Sequence, residues 1–566
     1  MMVIKNKSKI WLLILLVGVG ILEILIYINL RCLALAKEKV SNEAKRLTLL
    51  KTAQKIFPLN DGVFLELGRY WTSQAQLPSL SVEEKVNRMR QAAQYFVQAI
   101  KLNPGSYQAH FYLAQVGQFL RFWEKIPFDP IEELKKAAAL TTFDEEAYFQ
   151  VGRNLFALWR ELSPPDREMT LKLLGRVISP ATPERLTEIL PLWEYNGAEK
   201  DIIEKLLPLD ARMYRLLAEY LGRRGIKHEL RLLKLAQAEK MEFDQARRLF
   251  FRGIEFIKIG QFKRGEQSFQ EAQALLRKIK FYQNLSSEHL IDEKDYWEMT
   301  KELSRNLAFL KISKGEELTS VKGELERYLA LEDDLDSLEK FIDLLRQRLK
   351  SQSFLKLGPE NEFIIFYFET MVAYKKGAYR GVIDKIPNKI SIIRENQTKF
   401  PEEVAELWRI TAESYLKLDY LYDALTYFEK AREIKPEDLK ILLGLRKAYE
   451  RLNREDKWAE ISSLIKKIIQ IRSERFKPVL LSPQEPRVFN LLAAEPTINL
   501  KITFDFETSY RPLVAISLNS RVIKEVFLTT PEIEVASPAQ VGENKLEITP
   551  LNIKITCLAL KNSNIT

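Results

Sequence analysis

The sequence has few of the residues with which proteins form disulfide frameworks or bind transition metals. Its 566 residues include only two cysteines and three histidines. Cys32 lies at the end of an apolar run and Cys557 lies near the C-terminus, and the histidines at positions 110, 228 and 289 are far apart in the sequence. These numbers and spacings predict neither a set of disulfides nor a Cys/His metal site.

The sequence also lacks the local motifs that many enzymes need. It contains no glycine-rich phosphate loop and no nucleophile elbow, and acidic runs such as 332–334 are typical of solvated helix surfaces. The 87 basic and 77 acidic residues interleave along the helical segments, so the formal charge of +10 is spread over the chain. We therefore predict a protein that is not an enzyme, needs no cofactor or metal and binds no nucleic acid.

One long hydrophobic run lies near the N-terminus. Residues 10–30 are nearly all apolar, and a helix of roughly 21 residues crosses the ~30 Å hydrocarbon core of a bilayer. Basic residues flank the run on both sides, so they hardly decide its orientation. Residues 34–36, Ala-Leu-Ala, have the form of a signal-peptide cleavage site, but the run is longer than a usual signal core. We predict an uncleaved transmembrane anchor over residues 1–36, with a cleaved signal peptide as the alternative.

A single carboxylate interrupts this run at Glu23. A charged side chain at the centre of a bilayer is costly and often has a function there. One interpretation is that Glu23 is protonated, or pairs with another helix, within an otherwise adequate anchor. The other is that it contacts a membrane partner, which would make the protein an accessory subunit of a membrane enzyme.

Seven residues between positions 405 and 437 follow the spacing of a pair of antiparallel helices ended by a proline. Residues three and four apart share a helix face, so large and small side chains lie together on one stripe of each helix. The seven are Trp408, Ala412, Tyr415, Ala424, Phe428, Ala431 and Pro436. The segment resembles a tetratricopeptide repeat, with one departure at Thr411, where the family usually has leucine. The resemblance implies a helical hairpin that binds partners and carries no chemistry itself.

Looser versions of this pattern predict a mainly α fold, a solenoid of helical hairpins. They cover residues 37–160 and 244–474, and Gly68 and Gly253 mark two of the first helices. A divergent helical segment with several prolines separates the two regions at 161–243. Each hairpin cannot bury its apolar face alone, so neighbours stack and leave an extended groove lined by first helices.

Basic residues of the last two hairpins are candidates for binding a partner in that groove. Arg409 and Lys417 occupy groove-facing offsets in the first of these hairpins, and Lys447 and Arg451 occupy them in the next. Such side chains suit an acidic peptide or a C-terminal carboxylate. The family's carboxylate clamp needs asparagine at offsets where this chain has Glu413 and Gly444, so the resemblance does not imply that particular mode. Solvated helix positions are the alternative interpretation.

The pattern changes again towards the C-terminus. Four prolines between residues 475 and 496 predict a linker. From residue 497 to 566, apolar and polar residues alternate in six short segments separated by polar turns, including one at Asn519-Ser520. A period of two is typical of strands with one buried face, so we predict a small antiparallel β-sandwich.

The order of features in 514–549 resembles that of galactose-binding-like β-sandwich modules. A strand, a turn at Asn519 and a second strand precede a Gly-x-Asn turn at 542–544. The resemblance implies a glycan ligand, for which Tyr510 is the candidate aromatic platform. Asn544 is also predicted to cap its own turn, a role that suits an asparagine side chain. A sandwich that serves for docking alone is the other interpretation.

Together these features predict a membrane-anchored scaffold. The partners would be proteins in the solenoid groove and a bilayer around residues 10–30, with the N-terminus cytoplasmic and the bulk periplasmic or otherwise extracytoplasmic. The orientation rests on analogy with bacterial envelope proteins, and the expected role is assembly or positioning of envelope machinery. The alternative function is glycan recognition by the sandwich, with the repeats as a spacer.

Overall fold

The computed structural model describes most of the chain. The described residues are 2–37, 43–141, 144–286, 288–314, 316–351, 358–474, 479–483, 485–493, 496–506, 512–540, 542–553 and 555–562. They form two compact units, residues 1–209 (unit 1) and residues 210–566 (unit 2). The fold class predicted from the sequence is confirmed, since helices dominate and two antiparallel sheets lie at the C-terminal end.

The described residues of unit 1 fold into helices that pack in consecutive pairs. The α-helices are α1 Met2–Lys37, α2 Glu43–Ile56, α3 Asp61–Ala75, α4 Val82–Leu102, α5 Tyr107–Glu124, α6 Pro130–Leu140, α7 Glu145–Ala157, α8 Pro164–Val177, α9 Pro183–Tyr195 and α10 Lys200–Leu206. Helices α1 to α8 form four consecutive hairpins, whereas α9 packs on α7 and α10 packs on α8. We call the side lined by the odd-numbered helices the first-helix face of unit 1.

Unit 2 combines helices with the β-sandwich. Its α-helices are α11 Ala211–Arg224, α12 His228–Lys258, α13 Phe262–Leu276, α14 Glu293–Ser313, α15 Leu318–Leu331, α16 Leu335–Ser351, α17 Pro359–Lys375, α18 Tyr379–Lys385, α19 Ile390–Asn396, α20 Pro401–Lys417, α21 Leu421–Ile434, α22 Leu439–Arg451 and α23 Glu455–Glu474. A short 3₁₀ turn, Tyr282–Leu285, follows α13. The first helices of the last two hairpins are α20 and α22.

The hairpins in both units are closed by the same small-to-large contact. At Gly68 of α3, an added Cβ would lie 2.4 Å from the ring of Phe96 on α4. At Gly253 of α12, it would lie 2.5 Å from the ring of Phe269 on α13. Both phenylalanine rings are fully buried. Because glycine has no β-carbon, a ring from the second helix can lie against the backbone of the first helix, which gives the close packing typical of protein interiors.

The hairpin with the strongest sequence pattern, α20 with α21, has the predicted packing. Ala412, Ala424, Phe428 and Ala431 are fully buried, and α21 ends two residues before Pro436. Thr411, the departure from the family pattern, is fully buried as well, and its hydroxyl donates to the Leu407 carbonyl oxygen at 2.7 Å. This hydrogen bond satisfies the buried threonine hydroxyl, a polar group that the family's usual leucine does not have.

Two predictions about boundaries differ from the structure. The segment predicted as a linker, 475–496, contains strands at Val479–Leu481 and Arg487–Ala493, so the sandwich begins earlier than the alternation suggested. The divergent segment predicted at 161–243 ends inside α12, which continues to Lys258. Within that segment, Pro164 and Pro183 begin helices as expected for a residue without an N–H, but Pro191 lies inside α9.

The sandwich has eight described strands in two four-stranded antiparallel sheets. They are β1 Val479–Leu481, β2 Arg487–Ala493, β3 Thr497–Asp505, β4 Leu513–Leu518, β5 Arg521–Phe527, β6 Glu532–Pro538, β7 Gly542–Pro550 and β8 Ile555–Asn562, in the orders β1-β8-β3-β6 and β2-β7-β4-β5. Alternate residues such as Ile498, Leu500 and Ile502 fill the space between the sheets.

One of the two predicted turns of the sandwich is confirmed. Asn519 and Ser520 connect β4 to β5 with positive φ angles of 51° and 68°. Residues 542–544, predicted as a turn, instead begin β7 and pair with β2. From this strand the Asn544 side chain caps the loop before β7, accepting from the Gln540 N–H at 2.9 Å and donating to the Gln540 carbonyl oxygen at 2.7 Å. The Asn519 amide also donates to Asn544 Oδ1 at 2.9 Å, which fixes the β4–β5 turn to this loop.

Candidate interaction surfaces

The residues predicted to bind a partner lie on α20 and α22 of unit 2, and Arg409 is the most buried of them. It is 9% exposed, and its guanidinium pairs with the carboxylates of Glu406 and Glu413 on the same helix. The Tyr374 hydroxyl donates to Glu413 as well. Burial and the hydrogen bond to Glu413 raise the pKa of Tyr374. The charge of Arg409 is therefore already balanced within unit 2.

The other three predicted residues differ in their surroundings. Arg451 donates to the Leu416 carbonyl oxygen at 2.8 Å and to Asp419 at 2.7 Å, so it ties α22 to the end of α20. Lys417 follows Leu416 directly, and both Lys417 and Lys447 are exposed. The structure thus brings Arg451 and Lys417 to the same end of α20. A role for these residues in binding a partner stays a prediction.

The β-sandwich packs against α11, α12 and the segment that follows α13, through a buried charge cluster. Arg231 of α12 and Glu525 of β5 form an ion pair whose side chains are 5% and 0% exposed. His228 Nδ1 lies 3.2 Å from the same Glu525 oxygen, and the His228 ring meets Phe527 edge-on at 5.7 Å. A pair this deeply buried forms only if the helix and the strand that carry it are held together by surrounding contacts.

Backbone and apolar contacts extend this interface beside the charge cluster. The Val522 N–H of β5 donates to the Lys280 carbonyl oxygen at 3.0 Å, and the Lys280 ammonium pairs with Glu547 of β7 at 2.7 Å. Val522 also joins a buried cluster with apolar residues of the helices, namely Ala218, Leu232, Leu235 and Tyr282. The sandwich is therefore a fixed part of unit 2, held by apolar, ionic and backbone contacts together.

A second buried carboxylate supports the segment that receives β5. Glu239 of α12 is fully buried and accepts hydrogen bonds from the backbone N–H groups of Lys280 at 2.6 Å and Tyr282 at 2.8 Å. Burial raises the pKa of Glu239 to about 7, although these two hydrogen bonds act in the opposite direction. Burial thus favours the neutral form of this carboxyl group, which lies beside the segment that pairs with β5.

A polar cavity of about 730 Å³ lies between the helices of unit 2 and the loop that joins β6 to β7. Helices α15 and α20 and the α21–α22 turn contribute charges of both signs, α17 contributes Tyr367, and the sandwich contributes Gln540 of the loop and Glu543 of β7. Lys322 pairs there with Glu403, which is 5% exposed. Burial raises the pKa of the neighbouring Glu326. The cavity is hydrophilic, and its paired charges suit solvent or a polar segment better than an apolar ligand.

The first-helix face of unit 1 carries polar side chains that touch across successive hairpins. The Arg69 guanidinium of α3 lies over the Tyr112 ring of α5 at 5.4 Å, and Gln115 of α5 donates to Asn154 of α7 at 3.4 Å. Arg153 of α7 then pairs with Glu188 of α9 at 3.2 Å. We call this set, with Glu66 and Gln150, the polar strip of unit 1.

Most members of the polar strip are open or partly open to solvent, whereas Glu66 is 3% exposed. The Arg69 side chain is 44% exposed, and the Arg153 and Glu188 side chains are each 43% exposed. Tyr112, Gln115 and Asn154 are half-buried. The strip therefore offers charges, amides and one aromatic ring at the spacing of successive hairpins, and exposed pairs of this kind exchange partners at little cost.

The N-terminal helix is the candidate membrane span. Within the described residues, Val17–Lys37 is long and apolar enough to cross a bilayer, and most of its apolar side chains before position 29 are exposed. Glu23 is also exposed on this part of α1. From Asn29 onwards the helix is part of the fold, because Leu33 and Ala36 pack on Leu50 and other buried residues of α2 and α3.

The other residues singled out from the sequence are Tyr510, the histidines and the two cysteines. Tyr510, the candidate glycan platform, lies outside the described residues, and the resemblance to galactose-binding modules stays a prediction. Among the residues that the structure describes, no three His, Cys, Asp or Glu side chains are grouped to hold a metal ion. His110 is buried and pairs with Glu133 at 2.6 Å within unit 1. Cys32 and Cys557 are both free thiols.

Sequence reasoning missed the contacts that fix the sandwich. Arg231 and Glu525 are separated by 294 positions, and each belongs to an ordinary amphipathic pattern of its own. The polar strip was missed as well, although Gly68 marked the first of its helices. A signal was available in the polar residue that directly follows a first-helix glycine, namely Arg69 after Gly68 and Arg153 after Gly152.

Comparisons with known proteins give similarity at the level of helical repeats. No protein-family model and no curated protein sequence matches this chain. Among solved structures, it is similar to YrrB, described as a TPR protein with an unusual peptide-binding site, at 12% identity over 40% of this chain and 91% of that one, with a TM-score of 0.18.

Two further solved structures are similar over more of the chain. The TPR domain of P58(IPK) is 17% identical over 70% of this chain and 99% of that one, with a TM-score of 0.17. Yeast Tom70 is 13% identical over 79% of this chain and 86% of that one, with a TM-score of 0.21. At TM-scores this low we draw no functional argument from these similarities, and function is argued from the surfaces of this chain alone.

Proposed function

We propose that this protein is a membrane-anchored, non-catalytic scaffold that binds partner proteins through the first-helix face of unit 1. Helix α1 inserts in a bilayer with the N-terminus in the cytoplasm, and the remaining chain lies on the extracytoplasmic side. The work of the protein is then to assemble or position envelope machinery. The orientation and the envelope role rest on analogy with similarly built proteins, as they did at the level of the sequence.

The polar strip is the observation that carries the proposal. An extended peptide needs hydrogen-bonding partners along its length, because its backbone amides and carbonyls would otherwise be desolvated without compensation. The strip supplies them across α3, α5, α7 and α9, through Arg69, Gln115, Asn154 and Glu188 among others. The contacts between successive hairpins are a single hydrogen bond, from Gln115 to Asn154, and an exposed ion pair, Arg153 with Glu188, so a partner can replace them with little loss.

The four basic residues predicted earlier form a second candidate surface with a smaller role. Arg409 is balanced by two carboxylates, and Arg451 already binds a carbonyl oxygen and Asp419. Lys417 and Lys447 are exposed and can still meet an acidic segment. We propose that they contribute to partner binding through long-range attraction, which speeds association more than it strengthens the complex.

Membrane attachment is supported by the character of α1. The side chains of Leu15, Ile24 and Tyr27 are 65%, 60% and 69% exposed, so several turns of α1 expose apolar surface. A lone helix with this much exposed apolar area is unfavourable in water and favourable in hydrocarbon. We propose that Glu23 faces a second membrane helix of a partner or is neutral there, since an unpaired carboxylate in hydrocarbon is costly.

In vivo photo-crosslinking tests partner binding directly. A photoreactive amino acid at Gln115 lies in the polar strip, whereas the same residue at Gln98 lies on the exposed surface of the second helix α4. We expect the Gln115 probe to give discrete adducts with other proteins and the Gln98 probe to give none of them. The adducts should weaken when Arg69 and Arg153 are both changed to glutamate. Equal adducts from both positions, or adducts that ignore these changes, would contradict the proposal.

Glycan recognition by the sandwich is not favoured by a specific observation. Its candidate residue, Tyr510, lies outside the described residues, and β5 is turned towards α12 through Val522 and Glu525. A glycan array probed with the full-length chain gives the direct check, and saturable binding that Tyr510→Ala removes would restore this alternative.

A further inference from the structure

The turn between α2 and α3, residues 57–60, is tied to α1 at the point where the apolar run ends. The Asn29 side chain is 1% exposed and donates to the Ala53 carbonyl oxygen at 2.6 Å. The Asn60 amide donates to Asn29 Oδ1 at 2.6 Å, and Asn60 Oδ1 accepts the N–H of Gly62 at the start of α3. This pair of amides satisfies the buried polar groups and fixes the turn against α1.

The height of this turn along α1 follows from helix geometry. Asn29 is level with Ala53, and α2 continues for three more residues to Ile56, about 4.5 Å further towards the N-terminal end of α1. The turn therefore lies level with residues near position 26 of α1. The apolar run of residues 10–30 is about as long as the hydrocarbon core is thick, so this level is roughly 6 Å inside its C-terminal end.

The turn has the surface that such a position requires. Leu59 at its tip is 68% exposed, and Pro58 beside it is exposed too. Lys55, one turn earlier on α2, is exposed and long enough to reach lipid headgroups. On α1 itself Tyr27 is 69% exposed at nearly the same height, where tyrosine is favoured at the bilayer interface.

The opposite end of α3 offers a contrast. The helix Asp61–Ala75 is about 22 Å long, and the turn after it carries Leu77, which is 41% exposed. The next turn on the Leu59 side, residues 103–106, is joined to Asp61 through Asn103 at 2.8 Å but consists of Asn, Pro, Gly and Ser. Leu59 is therefore the most exposed large apolar residue described at this end of the first two hairpins, where Leu102, the last residue of α4, is 37% exposed.

We propose that the α2–α3 turn is a second membrane contact, in which Leu59 inserts into the lipid interface beside α1. This inference rests on the proposed membrane insertion of α1. The Asn29–Asn60 hydrogen bond then holds the turn rigidly against α1. The two membrane contacts, α1 and Leu59, together fix the tilt of the first hairpins relative to the bilayer. The occupant is lipid, because the turn continues the lipid-facing surface of α1 at the same height.

Fluorescence quenching with lipid-bound quenchers tests the inference. Cys32 is replaced by alanine, whereas Cys557 is kept, because it is fully buried and burial raises the pKa of its thiol to about 12. A cysteine is introduced as Leu59→Cys, or as Leu77→Cys for the matched control, and labelled with an environment-sensitive fluorophore. The full-length chain is reconstituted in vesicles of phosphatidylcholine and phosphatidylglycerol that contain doxyl-labelled lipid, and Tyr27→Cys serves as the positive control.

The outcomes separate this inference from the anchor. We expect the labelled chains to float with the vesicles, the label at 59 to lose most of its emission as the label at 27 does, and the label at 77 to keep it. Flotation with equal, weak quenching at 59 and 77 would overturn the membrane contact and leave the anchor intact. A label at 59 shielded from soluble quenchers yet untouched by lipid quenchers would mean a protein occupant and also overturn it. Chains that do not float would overturn both proposals.

Discussion

The two units use the same helical hairpins but treat their charged side chains differently. In unit 1, Arg153 and Glu188 pair at 3.2 Å with 43% of each side chain exposed. In unit 2, the paired side chains of Arg231 and Glu525 are 5% and 0% exposed, because Glu525 belongs to the β-sandwich and the sandwich covers Arg231. The hairpin framework alone therefore does not determine whether a charged face is available to partners.

The difference suggests a division of labour between the units. Exposed pairs contribute little to stability and leave a surface free to change partners. Buried pairs contribute through geometry, because removing either partner leaves an uncompensated charge in a poorly solvating environment. We interpret unit 1 as the adaptable surface and unit 2 as a body whose own sandwich has taken the place of a partner on α11 and α12.

The largest expected effect comes from breaking the buried pair of unit 2. Arg231→Met leaves the Glu525 carboxylate buried without its partner, which should cost about 3–5 kcal/mol of unfolding free energy. The double variant Arg231→Met, Glu525→Leu should recover most of this loss, because no charge is left behind. Urea denaturation of the detergent-solubilised chain, combined with protease digestion of the sandwich, measures both. A single variant as stable as the wild type would contradict the buried-pair account.

The two units should also respond to pH with opposite signs. Glu239 in unit 2 has a folded pKa of about 7 against an ordinary value of 4.5, so the folded state holds more protons than the unfolded state in this window. Stability of unit 2 should fall as pH rises from about 4.5 to 7, by roughly 3 kcal/mol in total. Glu239→Gln should remove this dependence. Hydrogen exchange of the amides of Lys280 and Tyr282, corrected for intrinsic rates, is the measurement.

Unit 1 supplies the matched comparison for this pH dependence. Burial raises the pKa of Glu133, but hydrogen bonds from Lys136 and His110 outweigh burial, and the pKa is lowered. The folded state then holds fewer protons, so this contribution is lost as pH falls through the folded pKa. Amides of α5 and α6 should exchange faster in acid while those beside Glu239 are protected. The same direction of change in both units would contradict the assignment.

The next expected effect is smaller and should be equal in the two units, because it concerns the glycine–phenylalanine contact that their hairpins share. Gly68→Ala and Gly253→Ala each push a β-carbon to within about 2.4 or 2.5 Å of a buried phenylalanine ring. Overpacking of this kind costs about 1–3 kcal/mol, since the ring or the helix must shift. Thermal unfolding of the two variants provides the comparison, with Gly323→Ala, which meets nothing within 4 Å, as the control. A loss confined to one unit would show that the hairpins are not equivalent.

The smallest effect is expected for an exposed pair of unit 1. Arg121 and Glu161 lie 2.8 Å apart with 45% and 46% of their side chains exposed. Arg121→Met should therefore change the unfolding free energy by less than about 1 kcal/mol. The same denaturation assay as for Arg231→Met gives the comparison. A cost close to that of the buried pair would mean that exposure does not separate the two units.

The sequence was informative wherever packing is local. The contact of Gly68 with Phe96 and the burial of Ala412 and Phe428 follow from spacings within one hairpin, and the turn at Asn519 follows from its residue type. The strands β1 and β2 were missed because their sequences, Val-Leu-Leu and Arg-Val-Phe-Asn-Leu-Leu-Ala, do not alternate between apolar and polar residues. In β2, Val488 is 57% exposed although it lies in a strand.

The contacts between distant segments were beyond reach for a different reason. Lys280 and Glu547, like Arg231 and Glu525, meet only because the sandwich folds against the helices, and no spacing rule connects them. The predicted groove residues show a different limit. Glu406 and Glu413 stand three residues before and four residues after Arg409 on one helix, a spacing that brings side chains together, but the groove prediction did not take these two partners into account.

The most direct test of the central claim places one photoreactive probe in each unit of the full-length chain. Glu219 of α11 is exposed and lines a cavity of about 310 Å³ that it shares with Thr549 and Leu551 of the sandwich, whereas Gln115 lies in the polar strip. The account predicts that the probe at 219 crosslinks within the chain, to peptides near residues 549–551, and that the probe at 115 crosslinks to other proteins. Partner adducts at 219 without the internal crosslink would contradict the claim that the sandwich covers this face of unit 2.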